Sequence, residues 1–121
     1  MFKTILNIPR RAKNAMYYSL CGLGAAFKKE EAIKLETIAL VILIVVMCLV
    51  PWPLWKKFTL GGVYLLIPLA ELMNSALEDV CDLVSPEYNE KIKHAKDKAS
   101  AAVLMAMIIG CITLTILILI D

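Results

Sequence analysis

The stretch Glu71-Leu72-Met73-Asn74-Ser75-Ala76-Leu77-Glu78-Asp79-Val80-Cys81-Asp82 decides how the chain is read. Glu71, Asn74, Glu78 and Asp82 stand at offsets of three, seven and eleven residues from the first of them. At about 100° per residue, each lies within roughly 60° of Glu71 on one helix face. Leu72, Met73, Ala76 and Leu77 carry the apolar surface on behind them. Carboxylates in an apolar helix are costly against lipid and require water, a metal or partners. Ion pairing between helices is the plain structural alternative.

Outward from this block, the chain reads as an all-α membrane protein. Residues 58–70 before it are uncharged, and helical periodicity continues to about Val84, where Ser85-Pro86 is a stop signal. Residues 37–55 are also uncharged, long enough for a hydrocarbon core of about 30 Å. Pro51 and Pro53 close that span, Trp52 and Trp55 suit a headgroup belt, and Lys56-Lys57 complete a short turn. Residues 87–98 are polar and read as a short connection, and residues 99–120 are uncharged again. The spans are placed at 31–50, 57–84 and 91–120, in a single domain covering 1–121.

Residues 1–29 mix apolar positions with Lys3, Arg10, Arg11 and Lys13, and Pro9 delays any regular helix to its own position or just beyond. No short apolar core with a small-residue cleavage site follows the first charges, so a removed signal peptide is not expected. A basic amphipathic helix on the membrane surface is the expectation. Cations cluster before the first span and between the second and third, against Lys56 and Lys57 at the opposite end. The positive-inside rule therefore puts the N-terminus and the second connection in the cytoplasm and the C-terminus outside.

Composition excludes other classes. The chain has 121 residues, 60% of them hydrophobic, and its mean hydropathy is +0.75, which is foreign to a soluble domain. A net charge of +2 with no basic patch offers nothing to nucleic acid. Cys21, Cys48, Cys81 and Cys111 form no C-x-x-C pair and read as packing residues, and a single histidine builds no His-rich metal site. Neither a Walker loop nor a kinase-type glycine loop is present, so any ATP site must come from helix ends and side chains.

Helical rise gives the depth of the acidic face. From Lys57, Glu71 lies roughly 21 Å along the helix and Glu78 about 31 Å, near the far boundary of the hydrocarbon. Asp82 follows in the aqueous interface. Such a gradient suits an enzyme with one substrate in lipid and another in water. Glu71 reaches a lipid hydroxyl, and Glu78 meets a metal-nucleotide. Glu30, Lys96, Asp97 and Ser100 belong to the same level.

Glu71-x-x-Asn74-Ser75-Ala76-x-Glu78-x-x-x-Asp82, then Glu87-Tyr88, then Ala95-Lys96-Asp97-x-x-Ser100-Ala101-Ala102-Val103-Leu104 resemble the prokaryotic diacylglycerol kinase family. Tyr18-Ser19, Gly22-Leu23, Glu30 and Glu36 extend the resemblance over nearly the whole chain. It implies an ATP-dependent lipid kinase of the bacterial inner membrane. The expected assembly is a homotrimer with composite sites, each chain contributing a surface helix and three spans. Sequence physics supports an oligomer that shields polar faces from lipid; the number three comes from the resemblance.

The resemblance also implies roles. Glu71 is the catalytic base; Glu30 and Glu78 hold Mg2+; Asn74, Ser100 and Glu36 meet the lipid alcohol. Arg11, Ser19, Glu30, Glu78, Asp82, Glu87, Lys96 and Asp97 form the ATP site, with Asp97 binding nucleotide or orienting Lys96. Read without it, Lys96 is equally a snorkelling boundary lysine, and Arg11 a headgroup contact. Ser85-Pro86 departs from the family's usual Gly-Ser. Diacylglycerol is the expected substrate, because Glu36 and Ala99-Ser100-Ala101-Ala102 fit that branch; undecaprenol is the alternative, favoured by Ser85-Pro86-Glu87-Tyr88. A small proton-coupled exporter would explain Glu71 alone but not the residues around it.

Overall fold

A computed structural model describes residues 8–120, all helices and connections. The chain divides into two compact units, residues 1–31 and 32–121. In the first, α1 (Ile8–Lys29) carries Pro9 in its first turn, where a missing N–H costs nothing. Lys28 and Lys29 complement the dipole in its last turn. No residue of α1 is buried. The helix ends at Glu30, whose N–H still reaches the Ala26 carbonyl at 2.8 Å.

The second unit is built on three apolar helical runs, each long enough to cross a membrane. α2 (Glu31–Leu49) is apolar nearly all round, and Leu35, Ile38, Val41, Ile42 and Val45 are exposed. Exposed aliphatic side chains on every face are what a lipid environment accommodates. Pro51 and Pro53 prevent the helix from continuing.

The chain turns straight into α3 (Leu54–Tyr64), so Lys56 and Lys57 sit in a helix rather than in the short turn expected of them. Pro53, at φ −62°, already has the backbone angle of a helix start. Lys56 is 5% exposed despite its charge. Its Nζ donates to the Leu117 carbonyl at 3.1 Å and also to the Ile120 carbonyl. The Trp52 and Trp55 rings each lie 5.7 Å from the ammonium. The lysine thus caps the negative end of the last helix, where carbonyls lack intrahelical partners.

α4 (Leu66–Val84) continues α3 after one irregular residue, Leu65. The expected single run from residue 57 to 84 therefore has a break, and Pro68 explains it. Four residues after Tyr64, Pro68 has no N–H for the Tyr64 carbonyl, and its ring crowds that carbonyl. Backbone bonds resume on either side, from Leu65 to Gly61 at 3.2 Å and from Leu69 to Leu65 at 3.3 Å. α4 stops at Ser85, which is extended before Pro86.

α5 (Glu90–Leu119) starts earlier than the polar composition of residues 87–98 suggested. Asn89 is its N-cap: Oδ1 accepts from Lys91 N at 2.9 Å and Ile92 N at 3.4 Å. Pairs one turn apart, Glu90–His94 at 3.7 Å and Lys93–Asp97 at 3.5 Å, line the polar turns that follow. Thirty residues span about 45 Å, so these turns extend well beyond a 30 Å core. α5 packs closely along α4 and α3, and Ser75, Cys81, Val103, Ala106 and Leu117 are buried. Of the four cysteines only Cys81 packs inside; all are free thiols.

Candidate functional site

The polar face of α4 is a graded strip. At its apolar end, Glu71 is half-buried and faces Glu36 of α2, close enough for the two carboxylates to repel. The Tyr64 hydroxyl donates to the Glu36 backbone carbonyl at 2.7 Å. Glu36 Oε2 is enclosed and has no hydrogen-bond partner.

One turn on, Asn74 Nδ2 donates to Glu78 Oε1 at 3.2 Å. That bond fixes the amide, so its Oδ1 points elsewhere, enclosed and without a partner. An enclosed carbonyl oxygen with no donor is an acceptor held ready for one. Glu78 keeps its second oxygen outside this bond. Among the described residues no group of three or more His, Cys, Asp or Glu side chains is arranged to hold a metal.

At the polar end, Lys96 Nζ of α5 meets Asp82 Oδ1 of α4 at 2.5 Å. Asp97 pairs with Lys93 rather than Lys96, because positions four apart share a helix face while adjacent ones do not. A polar cleft of about 290 Å³ opens here, lined among others by Asp82, Glu87, Tyr88, Lys93, Lys96 and Asp97. The chain between the two helices forms its rim, held by Ser85 Oγ donating to the Glu87 carbonyl at 3.2 Å. Two lysines and the amide-rich start of a helix make it suited to an anion.

The fold thus gathers Glu71, Glu36, Asn74 and Glu78 at one level and Asp82, Glu87, Lys96 and Asp97 at the next. Ser100 is exposed one turn beyond Lys96 on α5. Arg11 and Ser19 are exposed on α1, and Glu30 pairs with Lys29 at 3.6 Å; all three belong to the other unit. Sequence reasoning missed Tyr64 and Lys93. The i,i+4 spacing of Lys93 and Asp97 was a usable signal, and so was a lone tyrosine two turns before Glu71 within an uncharged run.

Three membrane-length helices carrying such a strip define a membrane-embedded enzyme. The family model for prokaryotic diacylglycerol kinase matches residues 17–119, so the chain belongs to that family of bacterial membrane proteins and is a lipid kinase. It is 37% identical over 107 residues to the diacylglycerol kinase of Escherichia coli K12, covering 88% of each chain. The Pseudomonas aeruginosa diacylglycerol kinase is 38% identical over 104 residues, covering 86% of this chain and 85% of that one. The Helicobacter pylori 26695 diacylglycerol kinase is 31% identical over 104 residues, covering 82% and 77%.

Proposed function

We propose that this lipid kinase transfers the γ-phosphoryl group of ATP to the free hydroxyl of diacylglycerol, forming phosphatidic acid and ADP. The observation that carries the reading is the continuous strip from Glu71 through the Asn74–Glu78 pair to the Lys96–Asp82 pair. It offers a proton acceptor at the lipid end and a phosphate-binding cleft at the water end.

Glu71 accepts the proton of the hydroxyl as its oxygen attacks the γ-phosphorus. The bond from that phosphorus to the ADP oxygen breaks, and ADP leaves. The enclosed Asn74 Oδ1 receives the hydroxyl's hydrogen before transfer and so aims the oxygen, with Ser100 and Glu36 beside the lipid. Lys96, steadied by Asp82, binds phosphate as a point charge, while Glu87, Asp97, Arg11 and Ser19 complete the nucleotide contacts. Glu78 fits a magnesium ligand, having an oxygen outside the Asn74 bond, and Glu30 is the second candidate; Mg2+ typically takes one or two carboxylates plus phosphate and water. When bound, the ion would neutralise charge on the phosphates.

The wider arrangement is part of the proposal. α1 lies on the cytoplasmic surface of the inner membrane, the strip opens to the cytoplasm, and three copies assemble into a homotrimer. The cation distribution supports the orientation, and the half-exposed acidic strip supports burial against other copies. Purified protein supplied with ATP and either diacylglycerol or undecaprenol tests the substrate. Lipid-dependent ATP consumption with a strong preference for diacylglycerol is expected; preference for undecaprenol overturns the assignment.

A further inference from the structure

We infer that Tyr64 is a positioning residue for the reaction: its hydroxyl holds Glu36 where the Glu36 carboxylate turns Glu71 toward the Asn74–Glu78 side of the strip. The inference rests on the reading of Glu71 as the base and adds a device that acts on it.

Three observations meet at this point. The Tyr64 hydroxyl crosses from the second run to the first and binds the Glu36 backbone carbonyl at 2.7 Å. α2 otherwise packs loosely on the rest of its unit, while α4 and α5 lie close along their length, so a cross-link here matters for where α2 stands. Pro68 breaks the helix between Tyr64 and Glu71, so that the ring and the carboxylate belong to separately oriented segments. Without that break, an ideal helix would fix the angle between residues seven apart at about 20°.

The second carboxylate supplies the direction. Glu36 Oε2 is enclosed with no donor to occupy it, and its charge faces that of Glu71. In a setting poor in water, two like charges favour the arrangement that separates them. Glu71 is therefore pushed from α2 and toward the next turn, where the Asn74 Oδ1 acceptor awaits a hydroxyl. Tyr64, the other ionisable group against Glu36, spends its O–H on the backbone carbonyl and leaves the carboxylate unquenched.

The test uses the full chain in lipid–detergent micelles, with diacylglycerol and MgATP varied independently. Tyr64→Phe keeps the ring and removes one neutral hydrogen bond, so kcat should fall about two- to tenfold while KM for MgATP stays unchanged. Glu36→Gln removes the charge and should lower kcat similarly; Glu36→Asp keeps the charge and should recover most of the rate. Because the tyrosine acts through that charge, Tyr64→Phe combined with Glu36→Gln should be no slower than the slower single variant. A merely structural tyrosine would lower the melting temperature without this non-additivity. Losses that multiply, a Tyr64→Phe enzyme with wild-type kcat, or Glu36→Gln as active as Glu36→Asp each overturn the inference. The Asp and Gln comparison decides even where Tyr64→Phe folds poorly. Glu71→Gln assayed alongside separates the two readings: turnover there refutes the base, whereas the Tyr64–Glu36 coupling is measured with Glu71 intact.

Discussion

Replacing Asn74 with alanine removes the one side chain that links the two levels of the strip. Its Nδ2 donates to Glu78 Oε1 at 3.2 Å, and its Oδ1 is enclosed and unpartnered. A hydrogen bond to a charged acceptor contributes about 1.5–3 kcal/mol. Both residues are half-exposed, so water takes over part of the role and the lower end, about 1.5 kcal/mol, is the appropriate figure. If that energy holds Glu78 in its working orientation, kcat/KM for MgATP falls roughly tenfold in Asn74→Ala. Loss of the Oδ1 acceptor adds a decrease in kcat with diacylglycerol saturating. Steady-state assays in micelles, with each substrate varied at saturation of the other, separate the two effects. The melting temperature should move little, since the side chain is not part of the α4–α5 seam. A kcat/KM for MgATP within twofold of wild type would show that Glu78 needs no orientation from Asn74, and would refute this reasoning.

Other outcomes follow from the same geometry. Lys56→Met leaves the Leu117 and Ile120 carbonyls without their donor at a buried helix end, which should destabilise the protein by about 2–3 kcal/mol in denaturant titration and speed amide exchange in the last turn of α5; unchanged stability would show that the cap is dispensable. Glu30→Gln and Glu78→Gln should each raise the magnesium concentration needed for half-maximal rate, and unchanged magnesium dependence in both would remove them as ligands. Co-assembly of Glu71→Gln chains with Asp97→Asn chains should restore activity if each site draws those residues from different copies; cross-linking checks the assembly separately, and a fully active monomer that cannot be cross-linked would sink the trimer.

Much of the fold was legible because lipid imposes a simple rule on sequence. Uncharged runs at 37–55, 58–70 and 99–120 need no tertiary information to be read as spans. Their ends were harder. Residues 90–98 are polar yet helical, because Asn89 caps them and Lys93–Asp97 pairs along them; composition hid what spacing disclosed. The break at Leu65 was written in Pro68, whose effect falls four residues earlier on the Tyr64 carbonyl. Lys56 looked like an interfacial charge, and only the return of α5 to the same end turns it into a buried cap.

The candidate site divides along the same line. Glu71, Asn74, Glu78 and Asp82 share a face of one helix, so periodicity alone grouped them. The pairing of Lys96 with Asp82 rather than Asp97 depends on how α4 and α5 pack, which sequence spacing does not encode. Tyr64 escaped notice because a hydroxyl in an apolar run reads as packing until its partner across the helices is known.

The central claim is that the strip led by Glu71 performs phosphoryl transfer to a lipid alcohol. Its most direct measurement follows labelled γ-phosphate from ATP into phosphatidic acid, comparing the wild-type protein with Glu71→Gln, while nucleotide binding is monitored in both. The amide keeps the size of the side chain but is a poor proton acceptor. Labelled phosphatidic acid should form with the wild-type protein and be abolished with Glu71→Gln, with nucleotide binding largely preserved. Near-normal transfer by a folded Glu71→Gln protein would contradict the account.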